Sequence, residues 1–166
     1  MEPFYEYLPE YRIQLENGAI KKAYKGLMEY IMELRNHFDN NFPDYFVSGS
    51  IYHGYMDMTY FSIFPNSLKQ RRLKIPIVFL HDAFRFEVWL AGYNKKVQLN
   101  YWKLFRDSAW KKYQIVSTIK GTDSIVEHIL VDNPDFKDLD SLTNQIESAT
   151  LEFIEDVEIF LSQHES

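Results

Sequence analysis

FRFEVWLAGYNKKVQLNYWKLFR, residues 84–106, changes its hydrophobic period once, and that change decides the fold. Phe86, Val88 and Leu90 alternate with Arg85, Glu87 and Trp89, a period of two that predicts a strand over Phe84–Ala91. Gly92 permits the turn that follows. Val97, Tyr101, Leu104 and Phe105 then recur at helical spacing, with Lys95, Lys96 and Lys103 on the other side, so Asn94–Arg106 is an amphipathic helix. A buried strand rarely tolerates charge without a partner. Arg85 and Glu87, beside Trp89, are therefore the first candidate site residues.

Immediately upstream, Leu73–Leu80 is a second apolar strand, and the turn His81-Asp82-Ala83 makes the two a hairpin. A three-residue loop sets Leu80 opposite Phe84, which places Arg85 against Phe79, Glu87 against Ile77 and Trp89 against Ile75. A slip of one residue changes those partners but keeps Arg85, Glu87 and Trp89 on one face. Pro76 has no N–H for a ladder, which predicts an edge position or a nitrogen pointing outward.

Further out, Tyr45–Ser48 is a short strand and Tyr55–Phe64 a longer aromatic one, with a turn around Tyr52-His53 bracketed by Gly49 and Gly54. Two helices precede them. One spans Glu2–Glu16 on Phe4, Leu8, Tyr11 and Leu15, and Asn17-Gly18 stops it. The other spans Ala19–Asn40 on Ala23, Leu27, Tyr30, Ile31, Leu34 and Phe38. They are expected to pack as a hairpin. Downstream, Gln114–Ser117 is a short strand, Asp123-Ser124 opens a helix to about Leu130, and Asn133-Pro134 closes it. The last helix begins near Asp140-Ser141 on a stripe of Leu142, Ile146, Ala149, Phe153, Val157 and Phe160. The expected fold class is α+β, a single domain over 1–166. An antiparallel sheet of about four or five strands carries the N-terminal helical hairpin and the C-terminal helices packed on it.

Composition agrees with a packed core. Of 166 residues 46% are hydrophobic, with 12 Tyr, 13 Phe and 3 Trp, which excludes disorder of the whole chain. There is no cysteine, so disulfide and thiolate chemistry are excluded, and a reducing compartment fits. No secretory signal and no apolar run of membrane-spanning length is visible. A cytoplasmic protein without a membrane segment is expected. Charge is distributed unevenly. Residues 1–65 carry 5 basic against 9 acidic residues, 66–112 carry 11 against 3, and 113–166 carry 2 against 12. An acidic C-terminal helix lying on the basic middle accounts for this within one fold, and a basic face for phosphates is the sharper reading.

Catalytic signatures fail one by one. The five histidines are scattered, with no metal-ligand spacing. His53 and Asp57 would need a distant third ligand, lone surface or turn histidines are the default reading, and no metal and no cofactor is expected. No glycine-rich phosphate loop is present, and Gly49-Ser50-Ile51 is not a nucleophile elbow. A metal-dependent nuclease would need a lysine where Trp89 stands, although Asp57 and Glu87 supply acids. What remains is a ligand-binding set of Tyr55, Asp57, Arg85, Glu87, Trp89 and Tyr93, a guanidinium and carboxylates among aromatic rings. The alternative is a nucleic-acid surface of Arg71, Arg72, Lys95, Lys96, Trp102 and Lys103, where charge and stacking rings interleave as single strands require. Against it stand the overall acidity and the lack of a binding module.

The blocks YFVSGSIYHGYMDMTYF (45–61), RFEVWLAGYNKKVQ (85–98) and DSIVEHILVDNPDF (123–136) resemble a family of bacterial proteins described only as a domain of unknown function. The resemblance implies a bacterial cytoplasmic protein and supplies no activity, cofactor or site residue. The residues themselves lead to a non-catalytic binding domain for a small polar or aromatic ligand, or for a protein partner.

Overall fold

The period-two segment does form a strand, and it lies inside a larger sheet than its neighbours announced. A computed structural model describes residues 2–165. After a short 3-10 turn at Phe4–Glu6 come α1 (Leu8–Asn17), α2 (Ala19–Asn41), β1 (Tyr45–Val47) and β2 (Met58–Pro65). Then follow α3 (Asn66–Lys69), β3 (Leu73–Leu80), β4 (Arg85–Gly92), α4 (Lys95–Asp107), β5 (Gln114–Ile115), β6 (Val126–Asp132) and α5 (Leu139–His164). The six strands form one antiparallel sheet in the order β1-β2-β3-β4-β6-β5.

The expected antiparallel sheet is present, and its strands differ in detail. The sheet has six strands, the edge strand β1 being three residues long and β5 two. The segment expected as a helix to Leu130 is instead strand β6, paired with β4. Its run Ile125-Val126-Glu127-His128-Ile129-Leu130-Val131 is short and rich in β-branched residues, and periodicity cannot assign so short an apolar run. The edge of β4 decided it, because an unpaired central strand would leave a row of buried backbone groups unsatisfied. The long aromatic strand also starts three residues later than Tyr55, at Met58.

The β3–β4 register differs by one residue from a three-residue loop. Leu80 pairs with Arg85, Val78 with Glu87 and Ile77 with Val88, so the turn holds four residues and Phe84 adopts φ 54°. Arg85, Glu87 and Trp89 still share a face, now with Val78. Phe79, Phe86, Ile77 and Val88 occupy the other. Pro76 lies in a central strand opposite Ser62 of β2, and the pairs to β4 lapse between Lys74–Ala91 and Ile77–Val88, where proline has no N–H to offer.

The helices cover the face of Phe79, Phe86 and Val88. Phe38 of α2 meets Phe61 at 6.1 Å between ring centres, Tyr30 meets Phe86 at 6.2 Å, and Phe105 of α4 stacks on Phe160 of α5 at 4.2 Å. Asn94 caps α4 by accepting from Val97 N at 2.9 Å, and Asp138 caps α5 through Ser141 N. Gly92 serves close approach, since a Cβ there would lie 2.7 Å from Gln98 N at the start of α4.

The helical hairpin at the N-terminus does not pack as expected. No residue of α1 is buried, and Leu8 and Tyr11 of the expected stripe are exposed. In α2, burial begins only at Met28, and Ala23 is exposed. Gly18 alone connects the two helices, in the left-handed region at φ 81°. An αα-hairpin needs a loop of about 2–5 residues, so α1 is directed away from α2 rather than along it.

Candidate functional site

The face of the sheet turned away from the helices carries the anomalous charges, and β4 places them there by simple alternation. Glu87 is 4% exposed, yet its carboxylate is fully engaged. Arg85 Nε donates to Oε2 at 2.7 Å and Trp89 Nε1 donates to Oε1 at 2.8 Å. The bridge is thus made within one strand by residues two apart. Charge-assisted bonds of this length offset the cost of burying the carboxylate.

Strand β6 adds Glu127, which lies opposite Trp89. Burial and then the charge of Glu87 push the Glu127 carboxyl above its ordinary range, with Ser124 and Arg85 pulling the other way. The same strand brings His128 to the helical face, against Tyr113 and Phe153, where burial lowers its pKa. Around Arg85, Glu87 and Glu127 lies an open hollow of about 620 Å³, which Lys111, Lys112 and Gln114 also line.

Trp89 lines a second hollow. Its indole N–H reaches Glu87, while the residue shares that hollow, of about 410 Å³, with Tyr52, Tyr60, Tyr93 and Lys95. The first hollow is lined by Arg85, Glu87 and Glu127, the second by three tyrosines and Trp89, and the Trp89–Glu87 hydrogen bond links their walls. Tyr93 lies on the rim, its ring edge-on to Phe64 at 5.8 Å.

Tyr55 and Asp57 lie elsewhere, lining neither hollow. Asp57 Oδ1 accepts from Tyr55 N at 2.8 Å, and backbone N–H groups of Tyr55 and Met58 hold its carboxyl below the ordinary range. The Asp57 carbonyl accepts from His81 N. Asp57 shapes the loop before β2, and Gly54 is needed there: its φ is +74°, and a Cβ would meet Met58 O at 2.0 Å. Tyr55 is 90% exposed.

The basic stretch is partly spent on α5. Arg71 bonds Glu165 and the Ser67 carbonyl, Ser67 bonds Glu158, and Lys112 bonds Asp156 at 2.9 Å. Trp102 is half-buried, donating to Val116 O at 2.8 Å with Arg106 over its ring. Arg72, Lys95, Lys96 and Lys103 remain exposed.

Of the six residues expected to form a ligand site, Arg85 and Glu87 line the first hollow, Trp89 and Tyr93 line the second, and Tyr55 and Asp57 line neither. The sequence reading missed Glu127, Tyr52, Tyr60 and Lys95 as lining residues of these hollows. For Glu127 the usable signal was the β-branched run around it. Among the described residues, no three His, Asp or Glu side chains gather to hold a metal ion, and no helix is long and apolar enough to cross a membrane. A family model described as Domain of unknown function (DUF7000) matches residues 4–161. No curated protein and no solved structure matches the chain.

Proposed function

The chain belongs to the DUF7000 family, and from that premise we infer that it is a non-catalytic binding domain for a small ligand with a flat ring and a cationic nitrogen. The observation that carries this reading is the paired carboxylate face, Glu87 and Glu127 beside a single guanidinium. Arg85 neutralises Glu87, whereas half-buried Glu127 has no ion pair of its own among the described residues. A ligand ammonium supplies the partner. The second hollow, of Tyr52, Tyr60 and Tyr93, offers ring faces and edges to the aromatic part. A bacterial cytoplasmic setting belongs to the same reading, and the lack of cysteine supports it.

The nucleic-acid alternative is weakened by Arg71 and Trp102, which are engaged inside the fold. Of that set Arg72, Lys95, Lys96 and Lys103 keep exposed charge, and its one ring, Trp102, is half-buried with Arg106 over it.

Thermal shift with tryptamine and with indole-3-acetate tests the reading, because the two share a ring and differ in charge. Tryptamine at millimolar concentration is expected to raise the midpoint, indole-3-acetate to leave it unchanged, and Glu127→Gln to abolish the gain. No shift with the amine, or equal shifts with amine and acid, would end this reading.

A further inference from the structure

Ten of the sixteen large apolar side chains exposed among the described residues fall on two surfaces. Six belong to α1 and the turn before it, including Tyr7, Leu8 and Tyr11. The other four, Ile20, Met56, Phe84 and Leu139, line one apolar groove of about 610 Å³. The groove runs along the exposed start of α2, past the β3–β4 turn, to the segment that leads into α5. Clustering of this kind marks an interaction surface rather than scattered surface residues.

Backbone strain points to the same place. Met56 and Phe84 are non-glycine residues at φ 64° and 54°, and both line the groove. Such conformations cost about 1 kcal/mol or more and persist where a site uses them.

Two observations select the occupant. The first is connectivity: Gly18 is too short a link for α1 to fold back along α2, so the chain cannot fill its own groove. The second is charge. Residues 2–17 carry Glu2, Glu6, Glu10 and Glu16 against Arg12, whereas 19–27 carry Lys21, Lys22 and Lys25 and no acid. Lys22 itself lines the groove. We propose that the groove receives α1 from a second copy of this chain, in a reciprocal two-fold exchange. Each copy then supplies one helix and one groove, so every contact is made twice.

Sedimentation equilibrium of the full chain is the test. A dimer is expected at micromolar concentration, and Tyr11→Glu, at an exposed position, should weaken it tenfold or more while circular dichroism stays unchanged. Because the chain has no cysteine, Tyr11→Cys and Leu27→Cys chains can be mixed and treated with a short bismaleimide. Crossed dimers joining the two variants are expected. A wild-type chain that stays monomeric overturns the proposal and leaves the groove to another occupant. A dimer indifferent to Tyr11→Glu that yields no crossed product overturns it as well.

Discussion

Trp89 donates its indole N–H to the Glu87 carboxylate at 2.8 Å, and the two residues stand on the same side of β4, away from the helices. A carboxylate with 4% exposure on that side is held by its own strand. Arg85 takes the second oxygen at 2.7 Å.

That arrangement predicts an asymmetry between the two members of the ion pair. Arg85→Met leaves Glu87 buried and charged, a loss of about 3 kcal/mol, or roughly 6–12 °C in midpoint. Glu87→Gln leaves a guanidinium that is 33% exposed and can turn to water, while the amide oxygen still accepts from Trp89. Its cost should be about 1 kcal/mol, roughly 2–4 °C. Thermal melts of both variants decide the matter, and equal losses would contradict it.

Glu127 should make stability depend on pH in the direction opposite to a salt-bridged acid. Burial and Glu87 raise its folded pKa above the unfolded value. Its contribution is therefore fully present below the unfolded carboxyl pKa and is lost as pH rises through the folded one. Glu127→Gln, which mimics the protonated form, is expected to raise the midpoint at pH 8 and leave it nearly unchanged at pH 4. A gain that is the same at both values would show that the carboxyl charge is not the cause.

Thr150 offers a stabilising substitution. It is fully buried in α5, and its hydroxyl has no hydrogen-bond partner among the described residues. Thr150→Val keeps the shape and removes an unsatisfied polar atom, for a gain of about 1 kcal/mol. In a chain of this size that is roughly 2–4 °C, readable by calorimetry. A loss instead would mean that the hydroxyl is satisfied.

Much of this was legible from local pattern. The alternation along residues 85–91 put Arg85, Glu87 and Trp89 on one face under either register, and the helical stripes from Tyr30 to Phe38 and from Leu142 to Phe160 became buried faces. The uneven charge also anticipated contacts between the basic middle and α5, such as Arg71–Glu165 and Lys112–Asp156. Local pattern failed on Asp57, whose neighbours suggested a strand. Its carboxylate instead caps the backbone of a loop.

The sequence by itself determined which residues alternate and which recur at helical spacing, because those periods follow from the geometry of one strand or one helix. Tertiary structure decided what meets what. Residues 126–132 became a strand only because β4 offered an edge, and that choice set Glu127 beside Glu87. The β3–β4 register was decided by a four-residue turn with Phe84 in a left-handed conformation. The stripe on α1, weaker than those on the later helices, found no partner, since Gly18 is too short a link for the helix to reach the core. Periodicity reports an apolar face; only the path of the chain decides what can cover it.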